Sequence, residues 1–164
     1  MVRRPMDKSV LCAVIVSQLE AAVNSASVAA DQARATATDK QNIAENKYDT
    51  LGLEAAYLAH GQSERVVQLA KAMADFIELQ KAIQPHDQIE VGSLVALKDN
   101  AGSDRYVFIG PSAGGHMVAF EGFNITVITA SSPLGQSLMT LAEDHEIATE
   151  IAGKKITYLI SALW

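Results

Sequence analysis

The chain has 164 residues, of which 49% are hydrophobic and 20% are charged, and its formal net charge is −6. This composition is typical of a globular chain, and the excess of acidic residues argues against binding of nucleic acid through a generally basic surface. The single cysteine, Cys12, excludes a disulfide framework within the chain and fits a reducing compartment such as the cytoplasm.

The first predicted element is a long helix with heptad spacing. Its apolar positions alternate three and four residues apart: Val16, Leu19, Val23, Ala26, Ala30, Ala33 and Ala37. The start of the chain also imitates a secretory signal, with basic residues before the apolar run 10–16, but Asp7 and Glu20 interrupt that pattern. No apolar run approaches the roughly 20 residues that a membrane span needs, so we expect no membrane partner.

A second heptad seam follows, and it predicts that the chain folds back on itself. Its members are Tyr48, Gly52, Ala55, Ala59, Gln62, Val66, Leu69, Met73 and Phe76. Two such helices with a short connection pack antiparallel. A register that pairs Ala30 with Ala55 sets small residues against small ones near the turn, and it sets Cys12 against Met73 at the base. Residues 1–85 are therefore predicted to form an antiparallel coiled-coil hairpin in which Cys12 is a buried small hydrophobe.

The segment between the seams, 38–50, reads "TDKQNIAENKYDT" and concentrates carboxylates at the predicted tip of the hairpin. It holds Asp39, Glu45 and Asp49 against two lysines. A charged turn of this kind has two interpretations: a solvated loop, or a functional tip at the end of a narrow helical pair.

After Pro85, which ends the second helix, the apolar period changes. Strands are predicted in "IEVGSLVALK", "RYVFIG", "HMVAF" and "ITVITA", and a closing hairpin in "HEIATEI" and "KITYLISAL". Ser132 and Pro133 are the expected N-cap and first residue of a short helix that runs through Leu141. Residues 86–164 thus form a small α+β domain on an antiparallel sheet, and the whole chain is of the α+β class.

These elements and motifs resemble the Gre family of bacterial transcription elongation factors over nearly the whole chain. The matching residues are "NIAEN" (42–46), "EVGSLV" (90–95), Tyr106, Ile109, "ITASSPLGQSLM" (128–139), Gly153, Ile156, Tyr158 and Ile160. Ser-Pro-Leu-Gly after a strand is the most specific of them. The resemblance implies a coiled-coil hairpin followed by an FKBP-like domain.

It also implies a partner and a mechanism. Gre factors bind bacterial RNA polymerase, insert the coiled coil through its secondary channel and act on the RNA 3′ end only indirectly. Tip carboxylates there help to hold a second Mg²⁺ of the polymerase, which cleaves backtracked RNA by two-metal chemistry. On this basis Glu45 matches the family glutamate, and Asn42 stands where the family has an aspartate.

The expected tip residues are therefore Glu45, Asp39, Asn42 and Asp49, with Glu45 and Asp39 as ligands of the shared Mg²⁺. Such a factor has no cofactor of its own, is not an enzyme by itself and acts as a cytoplasmic monomer. The polymerase-docking surface is expected on the C-terminal domain, at Ser132, Pro133, Leu134 and Gly135.

Three alternatives stay open. The first is a regulator that occupies the channel without stimulating cleavage, which Asn42 favours because an amide brings no charge to Mg²⁺. The second is a prolyl isomerase, although the aromatic residues of the C-terminal region are more typical of a small core than of a deep pocket. The third is a self-associating coiled-coil protein. The four histidines lack metal-ligand spacing and are interpreted as surface or packing residues.

Overall fold

A computed structural model describes residues 5–39 and 50–164. The elements in chain order are α1 (Lys8–Thr38), α2 (Leu51–Lys81), β1 (Leu94–Asp99), β2 (Asp104–Gly110), β3 (Met117–Phe120), β4 (Phe123–Thr129), α3 (Pro133–Leu138), β5 (Glu146–Ile151) and β6 (Lys154–Leu163). The predicted fold class, a helical hairpin followed by a sheet with one short helix, is confirmed. The chain divides into two compact units.

The first unit to describe lies within Ser17–Ala74 and consists of the facing parts of α1 and α2. Ala26, Ala30 and Ala33 on α1 and Ala55 and Ala59 on α2 are buried. Alanine is the strongest helix former, and its single methyl group lets two helix backbones approach closely. The predicted small-residue seam is thus the buried face of this unit.

The register of the two helices differs from the predicted one. The guanidinium of Arg34 donates to the Ser63 hydroxyl at 3.4 Å, whereas the predicted pairing sets Arg34 opposite residue 51. Ser63 lies twelve residues beyond residue 51, or about 18 Å along a helix, which is more than an arginine side chain can span. A shift of one heptad, which sets Ala30 opposite Gln62 and Ala33 opposite Ala59, accounts for the contact. Because a heptad repeat superposes on itself after seven residues, both registers bury the same seam positions.

The second unit joins the start of α1, through Val16, to Asp75–Trp164. Asp7 caps α1, since its carboxylate accepts the backbone N–H groups of Ser9 at 2.9 Å and Val10 at 3.1 Å. The amide of Gln80 donates to the Ser9 carbonyl oxygen at 3.1 Å, which joins the start of α1 to the end of α2. The ends of both helices thus pack with the sheet, and the domain boundary between residues 85 and 86 stays a prediction.

The sheet has six strands in the order β3-β4-β2-β1-β6-β5. Its pairs are antiparallel except β2 with β4, which are parallel, with Tyr106 opposite Ile125 and Ile109 opposite Ile128. The sheet is therefore mixed rather than purely antiparallel as predicted. The hairpin β3–β4 causes the difference, because β3 takes the edge position and leaves β4 beside β2 in the same direction.

Both faces of the sheet are covered. On one face Leu134 and Leu138 of α3 pack into a cluster that includes Val95, Val107 and Ile160. On the other face Phe108 is fully buried and its ring lies 6.2 Å from that of Phe76 in α2. Burial on two faces explains why β1 begins with four consecutive buried residues instead of an alternating pattern.

By length and composition alone, α1 is apolar enough to cross a membrane. This differs from the prediction of no membrane span, which rests on continuous apolar runs alone. Its many alanines raise the mean hydropathy without forming a long run of large apolar side chains. A buried helix of a soluble protein and a signal sequence near the N-terminus meet the same criteria, and 28% of the apolar window of α1 is buried, so this result is weak evidence for a membrane span.

Candidate functional site

The predicted tip is framed by the end of α1 and the start of α2. The Thr38 hydroxyl donates to the Arg34 carbonyl oxygen at 3.0 Å in the last turn of α1, and Asp39 follows in an exposed position. Across the connection, the Thr50 carbonyl oxygen accepts the N–H of Glu54 at 2.9 Å, and the Thr50 hydroxyl donates to the Glu54 carboxylate at 3.1 Å. Both helices therefore have ordered ends where the segment begins and finishes.

Of the four predicted tip residues, the structure places only Asp39, next to the last residue of α1. Asn42, Glu45 and Asp49 lie outside the described residues. Within 5–39 and 50–164, no group of three or more His, Cys, Asp or Glu side chains could hold a metal ion. The Mg²⁺ ligand pair Glu45 and Asp39 therefore stays a prediction.

The helical pair behind the tip has a thin cross-section. Its buried residues near the connection are Ala30 and Ala33 on α1 and Ala55 and Ala59 on α2, with Ala33 opposite Ala59 in the shifted register. With side chains of this size, helix axes can come within about 8 Å of each other. The small residues that allow this close approach are those of the predicted seam, although the two helices pair in a register shifted by one heptad from the predicted one.

The second predicted site, Ser132–Gly135, is the start of α3. The Ser132 hydroxyl donates to the Thr129 carbonyl oxygen at 2.7 Å and accepts the N–H of Gly135 at 3.1 Å, so it is the N-cap that the sequence predicted. Pro133 occupies the first turn and is exposed, while Leu134 is buried in the core. The helix ends at Leu138 rather than Leu141.

Gly135 has a specific steric reason to be glycine. A Cβ atom at this position would lie 2.0 Å from the Thr129 carbonyl oxygen and 3.0 Å from the Ser132 hydroxyl. The first turn of α3 therefore packs directly on the end of β4. Ser132, Leu134 and Gly135 thus have structural roles in this motif, and Pro133 is its outward-facing member.

A groove of about 330 Å³ adjoins this motif. Pro133, Leu134 and Ile128 supply apolar lining, and Arg105 and Glu150 supply charge from β2 and β5. Sequence reasoning missed Arg105 and Glu150, because they are distant in the chain from the motif and from each other. Only the folded sheet shows that they share one groove.

Cys12 has the structural role that its seam position predicts. It is fully buried, and burial raises the pKa of its thiol to about 11. The neighbouring Lys8 is also buried, its ammonium donates to the Gln84 carbonyl oxygen at 2.7 Å, and desolvation lowers its pKa. A neutral thiol at physiological pH is a poor nucleophile, which fits packing rather than chemistry.

Four of the described aromatic side chains pack in two pairs, while Tyr57 is exposed. Phe76 and Phe108 lie in the core, and the rings of Tyr106 and Phe123 are 4.5 Å apart between centroids. This packing agrees with their interpretation as the core of a small sheet domain.

The chain is thus defined as an α-helical hairpin with an alanine interface, joined to a six-stranded mixed sheet. Neither a protein-family model nor a curated protein sequence matches it.

Solved structures of Gre-type factors do match the chain. The GreA factor homolog 1 (Gfh1) of Thermus thermophilus matches at 15% identity over 91% of this chain and 94% of its own, with a TM-score of 0.38. The Gfh1 of Thermus aquaticus matches at 16% identity over 90% and 92%, with a TM-score of 0.40. The transcription elongation factor GreA/GreB of Nitrosomonas europaea matches at 17% identity over 68% and 91%, with a TM-score of 0.37. These are the proteins that this chain resembles, as its motifs predicted.

Proposed function

We propose that the protein is a cytoplasmic factor that binds RNA polymerase and inserts its helical hairpin into the secondary channel. The observation that carries the proposal is the combination, in one chain, of a slender alanine-seamed hairpin with the carboxylate motif "NIAEN" in its connection and Ser-Pro-Leu-Gly in the sheet. A narrow helical pair is suited to entering a confined passage, and its connecting segment carries the groups that act there.

In this proposal Glu45 reaches the active site of the polymerase, and Asp39 or Asp49 is a weaker second ligand of the shared Mg²⁺. The chain contributes ligands and orientation, while the polymerase supplies the metal chemistry of RNA cleavage. Asn42 offers a neutral oxygen where a carboxylate would add charge. Because Mg²⁺ prefers carboxylates, cleavage should need more Mg²⁺ than with two acidic residues at the tip.

A stalled, backtracked elongation complex tests the tip. We expect the protein to release short 3′ RNA fragments, Glu45→Ala to abolish this release without weakening polymerase binding, and Asn42→Asp to increase it at low Mg²⁺. Gln41→Ala, a neutral change in the same segment, is the matched control. If Asp39→Ala or Asp49→Ala removes activity while Glu45→Ala does not, the residue assignment is wrong but the tip mechanism survives.

Asn42 favours a second candidate function, a channel-binding regulator without cleavage activity. In that case the wild-type protein binds the polymerase and alters nucleotide addition, yet produces no fragments at any Mg²⁺ concentration. Activity gained only in Asn42→Asp would then identify the missing carboxylate as the cause.

The docking surface is proposed at the groove beside Pro133. Its apolar floor and its two opposite charges, Arg105 and Glu150, suit an amphipathic helix or loop of the partner. Arg105→Glu should weaken polymerase binding by about tenfold, a usual range for one interfacial charge. Lys98→Glu on β1, a comparable reversal of a half-exposed cation outside the groove, is the control. Equal effects of the two reversals would place docking elsewhere.

A further inference from the structure

The outward face of α2 carries large apolar side chains with no cover. Leu53, Tyr57 and Val67 are 57%, 70% and 68% exposed. At 3.6 residues per turn they fall within about 80° of one another on the side of α2 away from the buried Ala55 and Ala59. The exposed ion pair of His60 with Glu64, at 3.5 Å, lies on the same face between Tyr57 and Val67, so this stripe is apolar at both ends and charged at its middle. Exposed apolar side chains gathered on one face of a helix favour an interaction surface.

The stripe is self-complementary about a two-fold axis through His60. Such an axis relates two antiparallel copies of the helix. A residue that lies a given number of positions before His60 in one copy then faces the residue that lies the same number of positions after His60 in the other copy. Leu53 and Val67 are both seven residues from His60, so they face each other twice, once on either side of the axis. Both members of this pair are apolar and exposed.

The neighbouring row of α2 follows the same symmetry to within one residue. Leu58, which is 57% exposed, comes opposite Gly61 of the second copy. Open space surrounds Gly61, since beyond its own helix turn no atom of the described residues lies within 4 Å of the position where its Cβ would lie. Because Leu58 lies about 140° around the helix from Leu53, it borders the stripe, and the open position at Gly61 leaves room for the second copy there.

The charges agree with this pairing. Glu54 and Arg65 are exposed in that same row, six residues before and five residues after the axis. In an antiparallel pair each Glu54 comes opposite Arg65 of the second copy, which forms two symmetric ion pairs at the rim. A parallel pair would instead set Glu54 against Glu54 and Arg65 against Arg65.

We infer that the protein forms a reversible antiparallel homodimer through the outer face of α2, residues 53–67. These fifteen residues extend only about 21 Å along the helix, which is short for an interface of standard size. The dimer should accordingly dissociate at roughly tens to hundreds of micromolar. It is a second association of the hairpin, independent of the polymerase.

Disulfide trapping tests the axis directly. His60→Cys should give a covalent dimer under mild oxidation much faster than Val28→Cys, an exposed position on α1 that no symmetry pairs with itself. Leu53→Cys and Val67→Cys should crosslink with each other when mixed but not when incubated separately. The native Cys12 is buried and should not interfere. Equal rates for His60→Cys and Val28→Cys would overturn the proposal.

Sedimentation equilibrium across a hundredfold range of concentration tests the charges. Arg65→Glu should weaken the dimer severalfold, and the double variant Glu54→Lys with Arg65→Glu should restore it, since the swap recreates both pairs. Far-UV circular dichroism checks that each variant is helical. A wild-type protein that sediments as a monomer at millimolar concentration, or a double variant as weak as Arg65→Glu, would contradict the inference.

Discussion

Replacement of Gly135 by alanine probes the closest approach that the structure places beside the Ser-Pro-Leu-Gly motif. The new methyl group would lie 2.0 Å from the Thr129 carbonyl oxygen, which is backbone and cannot rotate away. That oxygen accepts both the hydroxyl of Ser132 at 2.7 Å and its N–H at 3.1 Å. Moving it therefore disturbs the cap of α3 as well as the end of β4.

The magnitude follows from three contributions. Overpacking at a rigid site costs about 1–3 kcal/mol, and a weakened N-cap costs about 1 kcal/mol. Alanine recovers up to about 1 kcal/mol through its higher helix propensity. With the full recovery from helix propensity, we expect Gly135→Ala to lower the free energy of unfolding by about 1–3 kcal/mol.

Gly61→Ala is the matched control, because within residues 5–39 and 50–164 no atom outside its own helix turn lies within 4 Å of the added methyl group. The same substitution should there raise the stability of α2 by about 0.5–1 kcal/mol. Urea unfolding at low micromolar protein measures both variants. The fluorescence of Trp164, the single tryptophan, reports the sheet, to which it is bonded through Leu94, and circular dichroism reports the helices. A Gly135→Ala protein as stable as the wild type would refute the close approach of α3 to β4.

Three further predictions concern the helices and the core. Cysteines at Ala30 and Gln62 should form a disulfide more readily than cysteines at Ala30 and Ala55, as judged by mobility on a non-reducing gel. The reverse order would show that the helices pair in the register predicted from the sequence. Phe108→Ala should destabilise the protein by about 3–5 kcal/mol in urea unfolding, because the ring is fully buried against Phe76, whereas a loss below 1 kcal/mol would contradict that packing. Cys12 should resist a thiol reagent at pH 8 in the folded protein and react at once in urea. The rate at which the reagent labels the folded protein should increase as the pH nears the thiol pKa of about 11. Since the folded pKa lies above the ordinary thiol pKa of 9.0, the contribution of the neutral thiol to stability is complete below pH 9 and is lost towards pH 11. Stability that rises over this interval relative to Cys12→Ala would have the wrong sign.

Some residues of the candidate sites could be predicted from a local sequence pattern, and others could not. The Ser132 cap and Pro133 were predictable, because capping depends on neighbours within four residues. Arg105 and Glu150 were not, because the order of strands in the sheet brings them to that motif. Leu53, Tyr57 and Val67 recur with a helical period that is visible in the sequence, but only their exposure in the folded structure distinguishes them from a second buried face.

The sequence by itself determined the elements of this protein: two heptad helices, six strands and a capped short helix. Each depends on a period or a cap that acts over a few residues. The tertiary structure decided the relations between elements, namely the heptad shift that brings Arg34 to Ser63 and the parallel pairing of β2 with β4. The physical reason is degeneracy. A heptad seam is equally apolar in registers seven residues apart, and a strand is equally apolar beside either neighbour, so packing of the complete chain selects one arrangement among several that the local pattern allows.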